Sequence, residues 1–246
     1  MSLCSPDEGY VSLMCLNGVD TLKHLEKLSL SSSDFSKESL EAFLRGRKHL
    51  REQFMSLIPH SYAVEVVAAL PESLECLDIE IWNTAYPRSN WNEQMRIISR
   101  LSNLKNLILQ VVRGDFDWLQ LLPAAARLSY FGVTVVSCCD DGLVQFIRAA
   151  TNLKSLELFE AHTDCENLLI AISSLPNLEC LWLHFGCNYI GETRMLTLNS
   201  EIGLLALTTS QVRRSMLTCS IRLSQRDAKR TEVLLQSFRE NFSTVV

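Results

Sequence analysis

Histidine and cysteine side chains cluster in the second half of the chain at spacings that suggest metal binding. His162 and Cys165 are separated by two residues, and Cys180, His184 and Cys187 follow within one short segment. Imidazole and thiolate are the usual ligands of zinc. The segment around Cys180 alternates like a strand, however, which would hold Cys180 and His184 about 13 Å apart. Ligands of one zinc ion lie much closer together, so we predict no metal site.

Nucleophilic catalysis has equally little support. Cys138 and Cys139 precede Asp140 at a predicted helix start, where a thiolate can be stabilised, but a loop thiol beside a half-buried one is the simpler interpretation. None of the five histidines lies in a motif such as GxSxG or HExxH. The nine glycines form neither a GxGxxG nor a GxxxxGK[ST] phosphate-binding loop. We predict no catalytic residue and no cofactor.

The composition of the chain excludes several functional classes. Of 246 residues, 47% are hydrophobic and 21% charged, and no apolar run approaches the roughly 18 residues of a membrane span. The net charge of −5 gives no basic surplus for binding nucleic acid. The first ten residues contain Asp7 and Glu8, whereas a signal peptide would be basic and then apolar. The nine cysteines are scattered along the chain, which is typical of reduced thiols. We therefore expect an intracellular protein, in the cytoplasm or the nucleus, without membrane or nucleic-acid partners.

A basic run, RGRKHLR at 45–51, has two interpretations. It is either a nuclear-import or phosphate-binding patch, or the end of a helix. In the second case Gly46 terminates the helix and the cations interact with its C-terminal dipole. We favour the helix end.

The strongest pattern is an internal repeat. Six segments that begin at positions 25, 74, 104, 128, 153 and 178 fit apolar-x-x-apolar-x-apolar, and a weaker copy begins at Leu50, with Gln53 and Met55 at its later positions. Most neighbouring anchor leucines lie about 25 residues apart, and the step from Leu74 to Leu104 is clearly longer. Before most later anchors lies a stretch with helical apolar spacing, such as GLVQFI. Each unit is therefore predicted to be a strand, a turn, a helix and a return. Since no unit can bury its strand face alone, the units must stack.

This pattern resembles the leucine-rich repeat family, and is closest to its ribonuclease-inhibitor-like and cysteine-containing subtypes. The latter subtype is common in the substrate-binding half of F-box proteins. The resemblance implies an α/β solenoid in a horseshoe arc, with a parallel β-sheet on the concave side and helices on the convex side. Over 1–200 we expect about seven repeats, each roughly 24–30 residues long, without an N-terminal cap. The segment 201–246 is expected to form the last repeat and an amphipathic cap.

One interval between anchors is longer than the others because of an insertion, WNTAYPRSNWN at 82–92. We expect this segment to protrude as a loop. Its aromatic residues Trp82, Tyr86 and Trp91 would provide a second contact at the rim of the arc, unless they pack back onto their own sheet.

In each repeat, the residues that alternate with the core leucines are expected to face the concave side. Aromatic residues concentrate in the last three of these strands, and strands about 4.8 Å apart would bring them into one patch. An exposed aromatic patch is a common anchor of protein interfaces. The alternative is that a C-terminal segment covers it. The predicted partner-binding residues are Tyr130, Phe159, Trp182, His184, Glu157, Asp78 and Glu80.

The resemblance implies a non-catalytic protein–protein interaction module that binds a protein partner on its concave face. The most specific function it implies is the substrate-recognition part of an F-box-type ubiquitin-ligase receptor. The segment before Leu25 is too short for an F-box, so ubiquitin-ligase components would bind through sequence outside this chain. An inhibitor or sensor array is the alternative within the same class. An enzyme with an unrecognised site is the alternative from another class.

Overall fold

The computed structural model describes residues 2–3, 24–31, 36–59, 63–82, 91–111, 117–134, 141–159, 166–185 and 214–219. The chain divides into two compact units, Met1–Leu128 and Ser129–Val246. Each unit repeats a strand, a helical segment and a return, as the sequence predicts. Within each unit, neighbouring strands pair in parallel and follow the order of the sequence.

The first unit contains five of these strands. They are β1 (Ser2–Leu3), β2 (Lys27–Ser31), β3 (Glu52–Pro59), β4 (Cys76–Trp82) and β5 (Asn106–Val111). Lys27 lies beside Glu52, Glu52 beside Cys76, and Cys76 beside Asn106. Each of these pairing steps equals the interval between the corresponding anchor leucines, so the sequence repeat sets the strand register. The repeat pattern did not predict β1, which pairs with β2.

Short helices alternate with the strands of the first unit. They are α1 (Lys37–Arg45), α2 (Ala63–Ala68), α3 (Trp91–Ile98), a 3₁₀ turn (Trp118–Leu121) and α4 (Leu122–Ala125). The Ser36 hydroxyl accepts a hydrogen bond from the Ser39 backbone N–H and so caps the start of α1. Asp117 caps the 3₁₀ turn in the same way.

The described part of the second unit contains four strands and two helices. They are β6 (Tyr130–Thr134), α5 (Asp141–Ala149), β7 (Ser155–Phe159), α6 (Glu166–Ser173), β8 (Cys180–Phe185) and β9 (Arg214–Cys219). Tyr130 lies beside Ser155 and Ser155 beside Cys180, which again reproduces the intervals between the anchors. The step from Cys180 to its neighbour Arg214 is longer and spans the segment in which the sequence repeat fails. β9 lies within the segment 201–246.

Alternation along the strands separates a buried face from a half-exposed one in both units. In β7, Leu156 and Leu158 are at most 1% exposed, whereas Ser155 and Glu157 are half-buried. The buried side faces the helices, since the Phe131 ring on β6 packs 4.8 Å from the Phe146 ring on α5. A parallel sheet with helices on one face, in units set by a leucine repeat, confirms the predicted α/β leucine-rich-repeat solenoid class.

A polar residue directly before the anchor leucine ties repeats together. Ser73 donates a hydrogen bond to the Leu50 carbonyl at 2.8 Å. Asn103 and Asn177 donate to carbonyls of the preceding repeat, those of Glu72 and Thr151, each at 2.9 Å. These bonds satisfy backbone acceptors at the return of the repeat. The sequence does carry this signal, because every anchor follows a polar residue.

Gln53 is a polar residue on the otherwise apolar buried face of the strand positions described in the first unit. It is fully buried on β3, and neither its amide nitrogen nor its oxygen has a hydrogen-bond partner within the described part of the chain. A buried amide left without partners costs about 1–3 kcal/mol. We therefore expect Gln53→Leu to raise the free energy of unfolding by about that amount in urea titrations. Gln110→Leu, on the exposed side of β5, is the matched control and is expected to be nearly neutral. A loss of stability in Gln53→Leu would contradict this expectation.

The arginine residues of the basic run at 45–51 each contact a different partner. Arg45 pairs with Glu41 on α1, and Arg51 pairs with Glu75. The guanidinium of Arg47 is buried over the Phe43 ring, 4.4 Å from its centroid. Gly46 is the C-cap residue of α1, as the helix-end interpretation requires, although its φ of −80° is an ordinary helical value. The run is therefore the end of a helix and does not form a continuous basic patch.

One expectation changes at the insertion, and those for the end of the chain fall on residues that are not described. Trp82 closes β4 and Trp91 begins α3, so the ends of the segment predicted to be a loop at 82–92 belong to a strand and a helix. Residues 83–90, with Tyr86, lie outside the described residues. The boundary predicted at position 200 and the amphipathic cap also lie outside them. None of the helices described above is long and apolar enough to cross a membrane.

Candidate partner-binding site

The strands of the second unit present three rows of residues on the sheet face opposite the helices, which we call the open face. Parallel pairing sets neighbours in a row about 4.8 Å apart. The rows are Tyr130–Ser155–Cys180, Gly132–Glu157–Trp182 and Thr134–Phe159–His184. Each row therefore contains one aromatic residue: Tyr130 on β6 in the first, Trp182 on β8 in the second and Phe159 on β7 in the third.

Three described side chains come together on this face, and we call them the aromatic patch: Tyr130, Glu157 and Trp182. The Tyr130 and Trp182 rings are 6.5 Å apart between centroids and tilted by 41°, within the range of favourable aromatic pairs. The Tyr130 hydroxyl donates a hydrogen bond to the Glu157 carboxylate. All three side chains are half-buried, so each keeps surface for a partner.

The shape of the patch follows from the row that contains Glu157. Trp182 lies directly beside Glu157 on β8, and Gly132 lies directly beside it on β6. Because Gly132 has no side chain, Tyr130 can reach the carboxylate diagonally from the row before. The patch thus combines two aromatic rings with one carboxylate, which suits recognition of a ligand by contact and charge.

The other predicted site residues are not part of this group of contacts. Phe159 and His184 occupy the third row by backbone register, but their side chains lie outside the described part of the structure. Asp78 and Glu80 lie on β4 of the first unit, where Asp78 accepts a hydrogen bond from Gln110 at 3.1 Å. Trp82 and Trp91 are described only as residues of β4 and α3. These assignments remain predictions.

Ion pairs neutralise acidic side chains near the starts of the first unit's strands. Lys27 pairs with Glu52 at 2.8 Å, and Glu75 pairs with Lys105 at 2.7 Å and Arg51 at 3.4 Å. The hydrogen bond from Lys105 and the charges of both cations hold the pKa of Glu75 below its usual value. These exposed pairs connect successive repeats and leave these carboxylates little free charge for a ligand.

Sequence reasoning gave little weight to Phe54, which is 36% exposed on β3. It lies beside Asp78 in the register of the first unit. The weak fit of its repeat to the leucine pattern made its position uncertain, yet the same alternation that identifies Tyr130 identifies Phe54. Phe54 is thus an exposed aromatic side chain on a strand of the first unit, whereas Tyr130 and Trp182 are half-buried.

Cys76 is a half-buried thiol on β4. Burial raises the pKa of this thiol, and the nearby Glu52 and Asp78 carboxylates raise it further. A raised pKa lowers the thiolate fraction at neutral pH, and the thiolate is the reactive form. We expect iodoacetamide to alkylate Cys76 more slowly in the folded chain than in urea, as followed by peptide mass spectrometry. Equal rates in the two states would contradict this expectation.

Metal chemistry gains no support from the geometry. Within the ranges that the structure describes, no three His, Cys, Asp or Glu side chains converge as ligands. Cys180 and His184 occupy one strand, β8, as the argument against a shared zinc ion requires. His162, Cys165 and Cys187 lie outside the described residues.

The fold assignment rests on the geometry above and not on comparisons with known proteins. No family model and no curated protein matches the chain. Among solved structures, a leucine-rich-repeat protein from Leptospira interrogans is similar over 89% of this chain and 78% of its own. The two share 14% identity, with a TM-score of 0.25. So low a score carries no argument, and the solenoid class rests on the strand register and the leucine repeat.

Proposed function

We propose that this chain is a non-catalytic protein-binding module that captures its partner on the open face of the second unit. The observation that carries the proposal is the contact between the half-buried Tyr130 and Trp182 rings on a face that the helices leave uncovered. Tyrosine and tryptophan offer large contact areas at a low entropic cost, and they are enriched among residues that dominate interface energetics.

Position on the sheet strengthens the proposal. The structural demands of the repeat are met by the buried alternate residues, such as Leu156 and Leu181, which pack beneath this face. Packing of the core therefore does not require aromatic residues at positions 130 and 182. Rings presented on the half-exposed side are available for a partner.

Site-specific photo-crosslinking tests the proposal. A photo-reactive amino acid in place of Ser155, between Tyr130 and Cys180 in the first row, is expected to crosslink to a partner protein in cells. The same amino acid in place of Gln145, an exposed residue of α5, is the control on the helix side and is expected to give no such product. The Ser155 crosslink should also disappear when Tyr130→Ala and Trp182→Ala are added. Equal crosslinking from both positions, or from Gln145 alone, would contradict the proposal.

The identity of the crosslinked protein separates the specific functions. A ubiquitin-ligase substrate, together with co-purified cullin-adaptor subunits, would favour the F-box-type receptor that the sequence resemblance implies. A single stoichiometric enzyme would favour an inhibitor array. Turnover of a substrate by the purified chain alone would favour the enzyme alternative.

A further inference from the structure

We propose that the aromatic patch recognises an arginine side chain of the partner protein, held between the Tyr130 and Trp182 rings and the Glu157 carboxylate. This inference rests on the proposed function and specifies the chemistry of the occupant. Three steps lead to it: the lack of an ion pair to Glu157 among the described residues, the rings beside it, and the geometry of the cation that fits both.

The first step is that no ion pair to Glu157 is found among the residues that the structure describes. One carboxylate oxygen, Oε2, accepts the hydrogen bond from Tyr130. Neither a lysine nor an arginine pairs with this carboxylate within the described part of the second unit, whereas ion pairs satisfy Glu52, Glu65 and Glu75 of the first unit. Since Tyr130 donates to only one oxygen, the other can accept from an external donor. The charge complement of this site is therefore a cation.

The second step is that aromatic rings border the carboxylate. Trp182 is the direct strand neighbour of Glu157, and Tyr130 reaches it by its hydroxyl. A cation over the face of a tryptophan or tyrosine ring is attracted by the ring's quadrupole. A cation that pairs with Glu157 is thus placed beside both rings. The residue beside Glu157 on β6 is Gly132, so no side chain from that neighbour competes for the carboxylate.

The third step distinguishes arginine from lysine. A guanidinium is planar, so it can stack on a ring and donate hydrogen bonds to a carboxylate in its own plane. A lysine ammonium is a strongly hydrated point charge that gains less from stacking. Exposed arginine on a partner's surface therefore fits the ring-and-carboxylate arrangement better than lysine does.

Paired peptide arrays test this inference with defined probes. Short random-sequence peptides are synthesised in pairs that are identical except for arginine or citrulline at the central position. Citrulline keeps the planar shape and loses the charge. The full chain is probed as wild type and as Glu157→Gln, and the strongest pairs are remeasured by calorimetry. We expect citrulline to weaken wild-type binding about 10- to 100-fold, as for loss of a hydrogen bond between charged groups. We expect the difference to fall to within about twofold in Glu157→Gln.

Two further variants make the outcomes distinct. Glu179→Gln removes an exposed carboxylate just before β8 and should keep the arginine preference. The double variant Tyr130→Ala/Trp182→Ala should lose the peptides altogether. Circular dichroism melting confirms that each variant is folded.

Each result decides one question. Peptides that need the aromatic rings but bind equally with arginine and citrulline would overturn the arginine inference and leave the proposed function intact. Peptides that bind the double variant as well as the wild type would overturn the use of this face, and the inference with it. Failure of every arginine peptide to bind the wild type even at millimolar concentration would overturn the inference, while the crosslinking result would still decide the proposed function.

Discussion

Leu107→Ala and Leu156→Ala are each expected to lower the free energy of unfolding by about 2–5 kcal/mol. Both side chains are fully buried, Leu107 on β5 of the first unit and Leu156 on β7 of the second. Each occupies the same position of the repeat, directly after the first residue of its strand. Truncation removes buried methyl groups and leaves a cavity between stacked repeats, and both losses add to the cost. Urea titration followed by circular dichroism measures the effect.

Alanine substitutions of exposed residues just before the same two strands are the controls. Lys105 precedes β5, and its side chain is 60% exposed. Lys105→Ala removes the ion pair with Glu75 and is expected to lower the free energy of unfolding by no more than about 1 kcal/mol. Lys154→Ala is the equivalent exposed position before β7. Small and equal shifts in all four variants would show that the register assigned to the leucines is wrong.

The fold could be predicted from the sequence because two periods reinforce each other. Alternation within a segment such as LKSLEL decides which residues are buried, and the recurrence of the leucines about every 25 residues decides which strands are neighbours. A shift by a single position would expose Leu156 and Leu158 together, so the register is strongly constrained. These patterns do not predict β1, because a strand of two residues is too short to show alternation.

The candidate site could be predicted only as far as the backbone determines it. Placing Tyr130 and Trp182 on one face of β6 and β8, on either side of β7, needs no more than register. The tilt of their rings and the hydrogen bond from Tyr130 to Glu157 depend on side-chain torsions and on the space beside Gly132, which no repeat pattern encodes. The leucine pattern does not predict the polar residues that join the repeats, such as Asn103, because it specifies only the apolar positions.

The second large effect is expected at the aromatic patch. Tyr130→Ala/Trp182→Ala removes both rings from a face that packing of the core does not use. An anchor side chain in an interface contributes about 2 kcal/mol or more, so the double variant should weaken partner binding by at least about 30-fold. Because the rings are half-buried in the free chain, we expect the free energy of unfolding to fall by much less than in Leu156→Ala.

Leu119→Ala provides the control for loss of exposed apolar surface. Leu119 is 40% exposed on the 3₁₀ turn of the first unit. Its replacement is expected to leave partner affinity unchanged, since it lies among the helical segments and not on a strand. Weakened binding in this variant would point to a contact on the helix side.

The most direct test is a calorimetric titration of the purified crosslinked partner against the wild type and Tyr130→Ala/Trp182→Ala, with the urea midpoint of each chain measured in parallel. Binding through the open face predicts a loss of affinity of at least about 30-fold in a double variant that remains folded. Unchanged affinity in the folded double variant would contradict it. Unfolding of that variant would also contradict it, because the two rings would then belong to the core.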